Sequence, residues 1–223
     1  MHWISYATPL LQGAWVTAQL TVYSTLLGAF FAFLFGLGKL SRYWPIKSLS
    51  IGIIEIFRGT SLLVQLFWLY FALPVLGQLA GVDLRLPPVV AGTLALSLNI
   101  GAYGAEVVRG AIQAVPLAQH EAAKALDFTA RQTLWRIALP QAIPEMMPSF
   151  GNLAVQNLKD TALVSLISLG DLAFRAEQIR NFTQDSTTVY TVLLLMYFAM
   201  ALVLTAVMKL LERSVGRWRA RRA

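Results

Sequence analysis

The hydrophobic positions of this chain fall in long unbroken runs, and most of the charge sits in the short stretches between them. Residues 8–38 contain no charged side chain. An uncharged apolar run of about 18 residues or more is long enough to cross a bilayer as a helix. At ~1.5 Å per residue this run exceeds what a ~30 Å core needs, so tilt or an extramembrane end is expected. The first span is placed at 10–38, the second at 61–79 and the third at 87–108, where Pro87 and Pro88 suit a helix start. Between the first two lies Trp44-Pro45, where the proline disfavours helix at Trp44 and the tryptophan suits a membrane interface. Gly77 to Pro88 carries turn residues. A fourth span at 139–158 is interrupted by prolines at 140, 144 and 148, and a fifth runs over 189–209. Residues 161–170 are apolar but too short to cross. They read as a re-entrant or surface piece, followed by a polar loop to Ser186.

Composition agrees with a membrane protein rather than a soluble helical bundle. The chain has 223 residues, 57% hydrophobic and 13% charged. Soluble domains carry about 25% charge. There is no cysteine, so thiol chemistry is absent, and His2 and His120 lie too far apart in sequence to suggest a metal site. The opening residues lack the basic region of a cleavable signal peptide. The net charge of +7 is assigned to cytoplasmic loops and not to nucleic-acid binding. With five spans, 14 of the 18 Lys and Arg fall on one side and 4 on the other. This bias puts the N-terminus outside, and it puts the C-terminus, with the tail arginines Arg217, Arg219, Arg221 and Arg222, inside.

Polar groups within spans are costly in lipid and point to a bundle interior or a water-filled path. The fourth span holds Glu145, Asn152, Gln156 and Asn157, and either a pathway or hydrogen bonds between helices would explain them. Glu55-x-x-Arg58-Gly59 and Glu106-x-x-Arg109-Gly110 repeat one pattern, in which i and i+3 share a helix face and can neutralise each other. Both strings are placed at the cytoplasmic interface, as structural ion pairs or as transmitters of motion.

Residues 110–138 form a cytoplasmic loop with a pattern of its own. A short helix over 117–126 places Ala118, Ala122 and Ala125 on one low stripe, with Glu121 and Lys124 on a neighbouring face. A break at Asp127-Phe128-Thr129 precedes a second helix over 130–138. No nucleophile–base set, phosphate-cradling loop or paired carboxylate site is present. The loop therefore reads as a docking element.

Its spacing carries a family resemblance. Glu121, Ala122, Ala123, Ile137, Leu139 and Pro140 stand as in the cytoplasmic coupling loop of bacterial ABC importer permeases, E-A-A, three residues, G, nine residues, I-x-L-P. The glycine position is Asp127, a departure that bears on the bend, since aspartate enters the left-handed region at a cost. The strings RGTSLLVQ at 58–65, AIQAVP at 111–116 and NLKDTALVS at 157–165, with Ala102, Tyr103, Glu106 and Arg109, resemble the polar amino acid uptake, histidine/glutamine permease-like branch. There Ser61 replaces the usual proline.

The resemblance implies an all-α integral membrane domain over 1–223 with the type I ABC importer permease fold, in the bacterial inner membrane. It implies a non-catalytic permease subunit that binds no cofactor, with ATP and magnesium on partner ATP-binding cassette subunits. The other partners would be a second permease, identical or homologous, a periplasmic or lipid-anchored substrate-binding protein, and membrane lipid. Glu121, Ala122, Ala123, Ala125, Leu126 and Asp127 would contact the ATPase. Gln65, Asn99, Tyr103, Glu106, Asn152, Gln156 and Asn157 are the candidates for contact with an amino-acid-like zwitterion. A secondary transporter would require inverted repeats and a midplane ion site. A membrane scaffold would have no use for polar groups inside its spans.

Overall fold

The structure, a computed structural model, describes residues 3–220, and among them every regular element is helical. His2, Arg221 and Arg222 lie outside the described residues. Helix α1 (Trp3–Lys39) has 37 residues, or about 55 Å at 1.5 Å per residue. It runs beside α5 (Pro88–Gln113) in the same direction. Small residues set their separation. A Cβ on Gly36 would stand 2.8 Å from the Ala105 carbonyl, and one on Gly101 would stand 2.7 Å from Phe31 Cβ. Such close approach is how helices associate where lipid removes the hydrophobic drive.

Helix α2 (Trp44–Gly59) begins at Trp44, with Pro45 in its first turn and Tyr43 as cap. The expected break at Trp44 fails because a proline at a helix start removes an N–H that has no intrahelical partner there. Ser50 and Ile54 turn inward and meet Gly38, Phe35 and Ala105, so α2 climbs back along α1. After Thr60 and Ser61 the chain continues as α3 (Leu62–Phe67), a π-turn at Trp68–Ala72, and α4 (Leu73–Leu79). Residues 44–79 thus form one discontinuous helical element.

Helix α8 (Leu139–Asp160) runs against α1, with Phe150 stacked on Phe33 and Asn157 beside Ser24. A 3-10 coil, Thr161–Ile167, follows it and is buried, not superficial. Its Val164 and Ile167 pack with Leu20, Leu66, Ala91 and Leu96. The expected polar loop is mostly α9 (Leu172–Thr183), whose N-terminus is capped by Asp171 Oδ1 accepting from Phe174 N at 3.0 Å. Leu172 N donates to Thr17 Oγ1 at 3.0 Å and pins α9 to α1. Helix α10 (Ser186–Ala220) closes the chain, and its Leu194, Leu195, Phe198, Leu202 and Val203 are exposed, as a lipid-facing stripe would be.

Among the described residues, four helices are long and apolar enough to cross a membrane: 6–39, 62–79, 88–113 and 186–215. Helix α8, with 22 residues, has the length, but its prolines and amides lower its apolarity. Five spans were expected, and α8 is the one that length and composition leave out.

Candidate functional site

The break between α2 and α3 frees backbone carbonyls, and side chains take them up. Gln65 Nε2 donates to Phe57 O at 2.8 Å, Thr60 O at 3.1 Å and Thr60 Oγ1 at 2.9 Å. Asn99 Nδ2 of α5 donates to Gln65 Oε1 at 3.1 Å and to Phe57 O at 3.3 Å. Irregular backbone at membrane depth is tolerated where it is satisfied internally or lines a cavity, and both conditions hold here. Tyr103, one helical turn further along α5, donates from its hydroxyl to Arg58 O at 3.5 Å, and the Arg58 guanidinium lies 5.6 Å from the Tyr103 ring centre.

Beside this break is a cavity of about 380 Å³ between α3, α5 and α8. Thr60, Ser61, Asn99, Tyr103, Gln156, Asn157 and Asp160 supply its polar lining, and Leu62, Ile100 and Leu153 the apolar part. Its only carboxylate is Asp160, which accepts from Gln156 Nε2 at 2.9 Å. Four of the seven sequence candidates therefore meet: Asn99, Tyr103, Gln156 and Asn157. Asn157 is also structural, since its Nδ2 donates to Ser24 Oγ at 2.6 Å and Thr25 Oγ1 at 3.0 Å. Gln65 sits behind the wall as the clamp of the break. Asn152 lies on another face of α8, in a groove shared with Thr205 and Met208 of α10.

Glu106, another of the seven candidates, does not line this cavity. It accepts from Lys39 Nζ at 2.5 Å and from Arg109 at 2.8 Å, tying the C-terminal end of α1 to α5. The matching pair expected at Glu55 and Arg58 does not form. Glu55 is 4.0 Å from Lys39, and Arg58 turns to Tyr103. Arg58 thus stands beside Tyr103, near the middle of α5. Thr60 and Ser61 were missed as cavity residues, whereas Asp160, with Lys159, was open to either a substrate or a structural role. The only sequence signal was a polar triplet, RGT, followed by Gln65 within five residues of the gap.

The segment 117–138 has defined geometry. Helix α6 (Leu117–Ala125) ends with Phe128 N donating to Ala123 O at 3.0 Å and Asp127 N donating to Lys124 O at 3.0 Å. These paired bonds form the C-terminal motif that places one residue in the left-handed region, and Asp127 occupies it with φ 55°. Thr129 then opens α7 (Ala130–Thr133) with a capping box, in which Thr129 N donates to Gln132 Oε1 at 2.8 Å. A π-turn, Leu134–Ala138, leads into α8, and Arg136 reaches back to the Phe128 ring at 6.0 Å.

Outward from this element face Leu117, Ala118, Glu121, Ala122, Ala125 and Leu126. Glu121 makes no ion pair among the described residues. Ala123 points the other way and is 1% exposed, so it packs within this chain and offers no surface for close approach by a partner. Glycine at 127 would relieve the left-handed strain. Asp127→Gly is expected to stabilise the bend by about 0.5–1 kcal/mol. Limited proteolysis within 126–130 of the purified protein should slow, and unchanged or faster cleavage would contradict this.

The profile of the binding-protein-dependent transport system inner membrane component family matches residues 24–217. The chain is 67% identical to a probable amino-acid ABC transporter permease protein, y4tF, of Sinorhizobium fredii, over 100% of its own length and 93% of that protein. It is 31% identical to the glutamine transport system permease protein GlnP of Escherichia coli, over 93% of each chain. A crystal structure of an amino acid ABC transporter with histidines superposes with a TM-score of 0.85 at 33% identity, over 95% of this chain and 96% of that one.

Proposed function

Since the chain belongs to the family of binding-protein-dependent transport system inner membrane components, we propose that it is the permease subunit of an ATP-driven importer of polar amino acids or amino-acid-like zwitterions. The cavity at the α2–α3 break carries this reading. It joins one carboxylate, Asp160, to the amides of Asn99 and Gln156 and the hydroxyls of Thr60, Ser61 and Tyr103. An ammonium group is received by Asp160, and the apolar wall of Leu62, Ile100 and Leu153 takes the substrate's carbon skeleton. Relatives named for amino-acid and glutamine transport support the substrate class.

The chain itself performs no bond chemistry. ATP and magnesium are held by partner ATP-binding subunits, onto which α6 docks. The low surface of Ala118, Ala122 and Ala125 admits a close partner, and unpaired Glu121 gives the contact its charge. A binding protein, periplasmic or lipid-anchored, delivers substrate on the outer side of the bacterial inner membrane. A second permease, identical or homologous, covers the exposed polar face of α8 that Asn152, Gln156 and Lys159 present, since polar groups at that depth require protein or water against them.

Asp160→Asn tests the cavity. Loss of one charged hydrogen-bond partner is worth about 1.5–3 kcal/mol, so uptake at subsaturating substrate should fall about tenfold or more, with basal ATP hydrolysis unchanged. Uptake equal to wild type would remove Asp160, and with it the cavity, from the transport path.

A further inference from the structure

We infer that Arg58 is the carboxylate-binding group of this cavity, a role that rests on the cavity being the substrate site. An arginine near the middle of a membrane domain is costly and is kept there by a partner or a task. Among the described residues Arg58 forms no ion pair. The neighbouring carboxylate three residues earlier, Glu55, approaches Lys39 instead. The contact its guanidinium makes is the face of Tyr103, at 5.6 Å, and Tyr103 lines the cavity. The residue is exposed, so its planar fork of donors is free to engage an incoming anion.

With the N-terminus outside, as the Lys and Arg bias has it, α5 runs inward beside α1 and α8 runs against them, so Tyr103 and Arg58 stand at the cytoplasmic end of the cavity. Helix α8 runs outward, so Asp160, its last residue, stands at the opposite end. The two charges thus bracket the space, anion outside and cation inside. A zwitterion binds with its ammonium at Asp160 and its carboxylate turned inward to Arg58, where a guanidinium makes two parallel N–H···O bonds. An amine that lacks the carboxylate uses only the Asp160 end.

The test measures binding to the purified permease–ATPase complex in detergent by calorimetry. The probes are L-glutamine, L-leucine and L-arginine, with the matched amines 4-aminobutanamide, 3-methylbutan-1-amine and agmatine. For whichever amino acid the wild type binds, Arg58→Gln should weaken affinity at least tenfold and leave the matched amine within twofold. Arg58→Lys, which keeps the charge without the fork, should fall between. Asp160→Asn should weaken amino acid and amine alike. If Arg58→Gln weakens neither ligand, or both equally, while Asp160→Asn acts as stated, the cavity stands and the role of Arg58 is overturned. Loss of a subunit from the Arg58→Gln complex with ligand affinity intact would make Arg58 an assembly residue and would also overturn it. If no probe binds the wild type, or Asp160→Asn changes nothing, the cavity reading fails and the inference with it.

Discussion

Glu121→Lys is expected to abolish coupled transport while leaving the protein folded and inserted. Glu121 is exposed on α6 and takes part in no ion pair among the described residues, so its removal costs the isolated chain little. Against a docked ATP-binding subunit the reversal places a cation where a carboxylate was received. Breaking one side of a desolvated charge pair costs about 2–5 kcal/mol or more, which is roughly thirtyfold to several-thousandfold in affinity. ATP-binding subunits should therefore fail to co-purify, and uptake should be lost. Glu121→Gln, which keeps the shape, should lose less. Normal uptake and normal co-purification of the lysine variant would show that α6 does not dock through this face.

The second large effect lies at the helix break. Gln65→Leu removes the donor that serves Phe57 O, Thr60 O and Thr60 Oγ1 at once. A buried acceptor left without a partner costs about 1–3 kcal/mol, and Asn99 reaches only Phe57 O, at 3.3 Å. A net loss of ~2–5 kcal/mol follows. At about 2–4 °C per kcal/mol for a chain of this size, thermal unfolding of the purified protein should begin several degrees lower. Asn99→Ala should cost less, and the double variant should cost less than the sum, because the two amides share Phe57 O and each other. Additive losses would mean that the two side chains hold the break independently.

Much of the molecule is legible in the sequence because long apolar runs specify helices with little help from context. The uncharged run of α1, the proline start of α5 and the stripe of α6 each point to a single answer. The bend at Asp127 was left open, since the resemblance puts a glycine there, and the chain adopts φ 55° with aspartate in its place. Helix α2 was legible only at its end, where Glu55 and Arg58 read as sharing a helix face. Pro45 and Lys47 obscured its start, and only Ser50 and Ile54 are buried. What makes it a helix inside the bundle is contact with residues distant in sequence.

The same is true of the cavity. Polar residues in α8 flagged a path, but their partition among roles depends on which face meets which neighbour. Asn157 turns to Ser24 and Thr25, Gln156 to Asp160, and Asn152 to the α10 groove. Glu106 shows the limit most clearly. Its i+3 arginine was visible, but Lys39, 67 residues away, draws it into a structural ion cluster. Ala123 makes the same point on a smaller scale, as one alanine of the E-A-A string faces inward.

ATP hydrolysis by liposomes containing this chain, its second permease and its ATP-binding subunits tests the account most directly. Adding substrate-loaded binding protein should raise hydrolysis roughly tenfold, within the usual range of coupling between sites, with substrate accumulating inside. The same liposomes carrying Glu121→Lys should show no rise. Substrate accumulation driven by an ion gradient without ATP, or hydrolysis indifferent to the binding protein in the wild type, would contradict it.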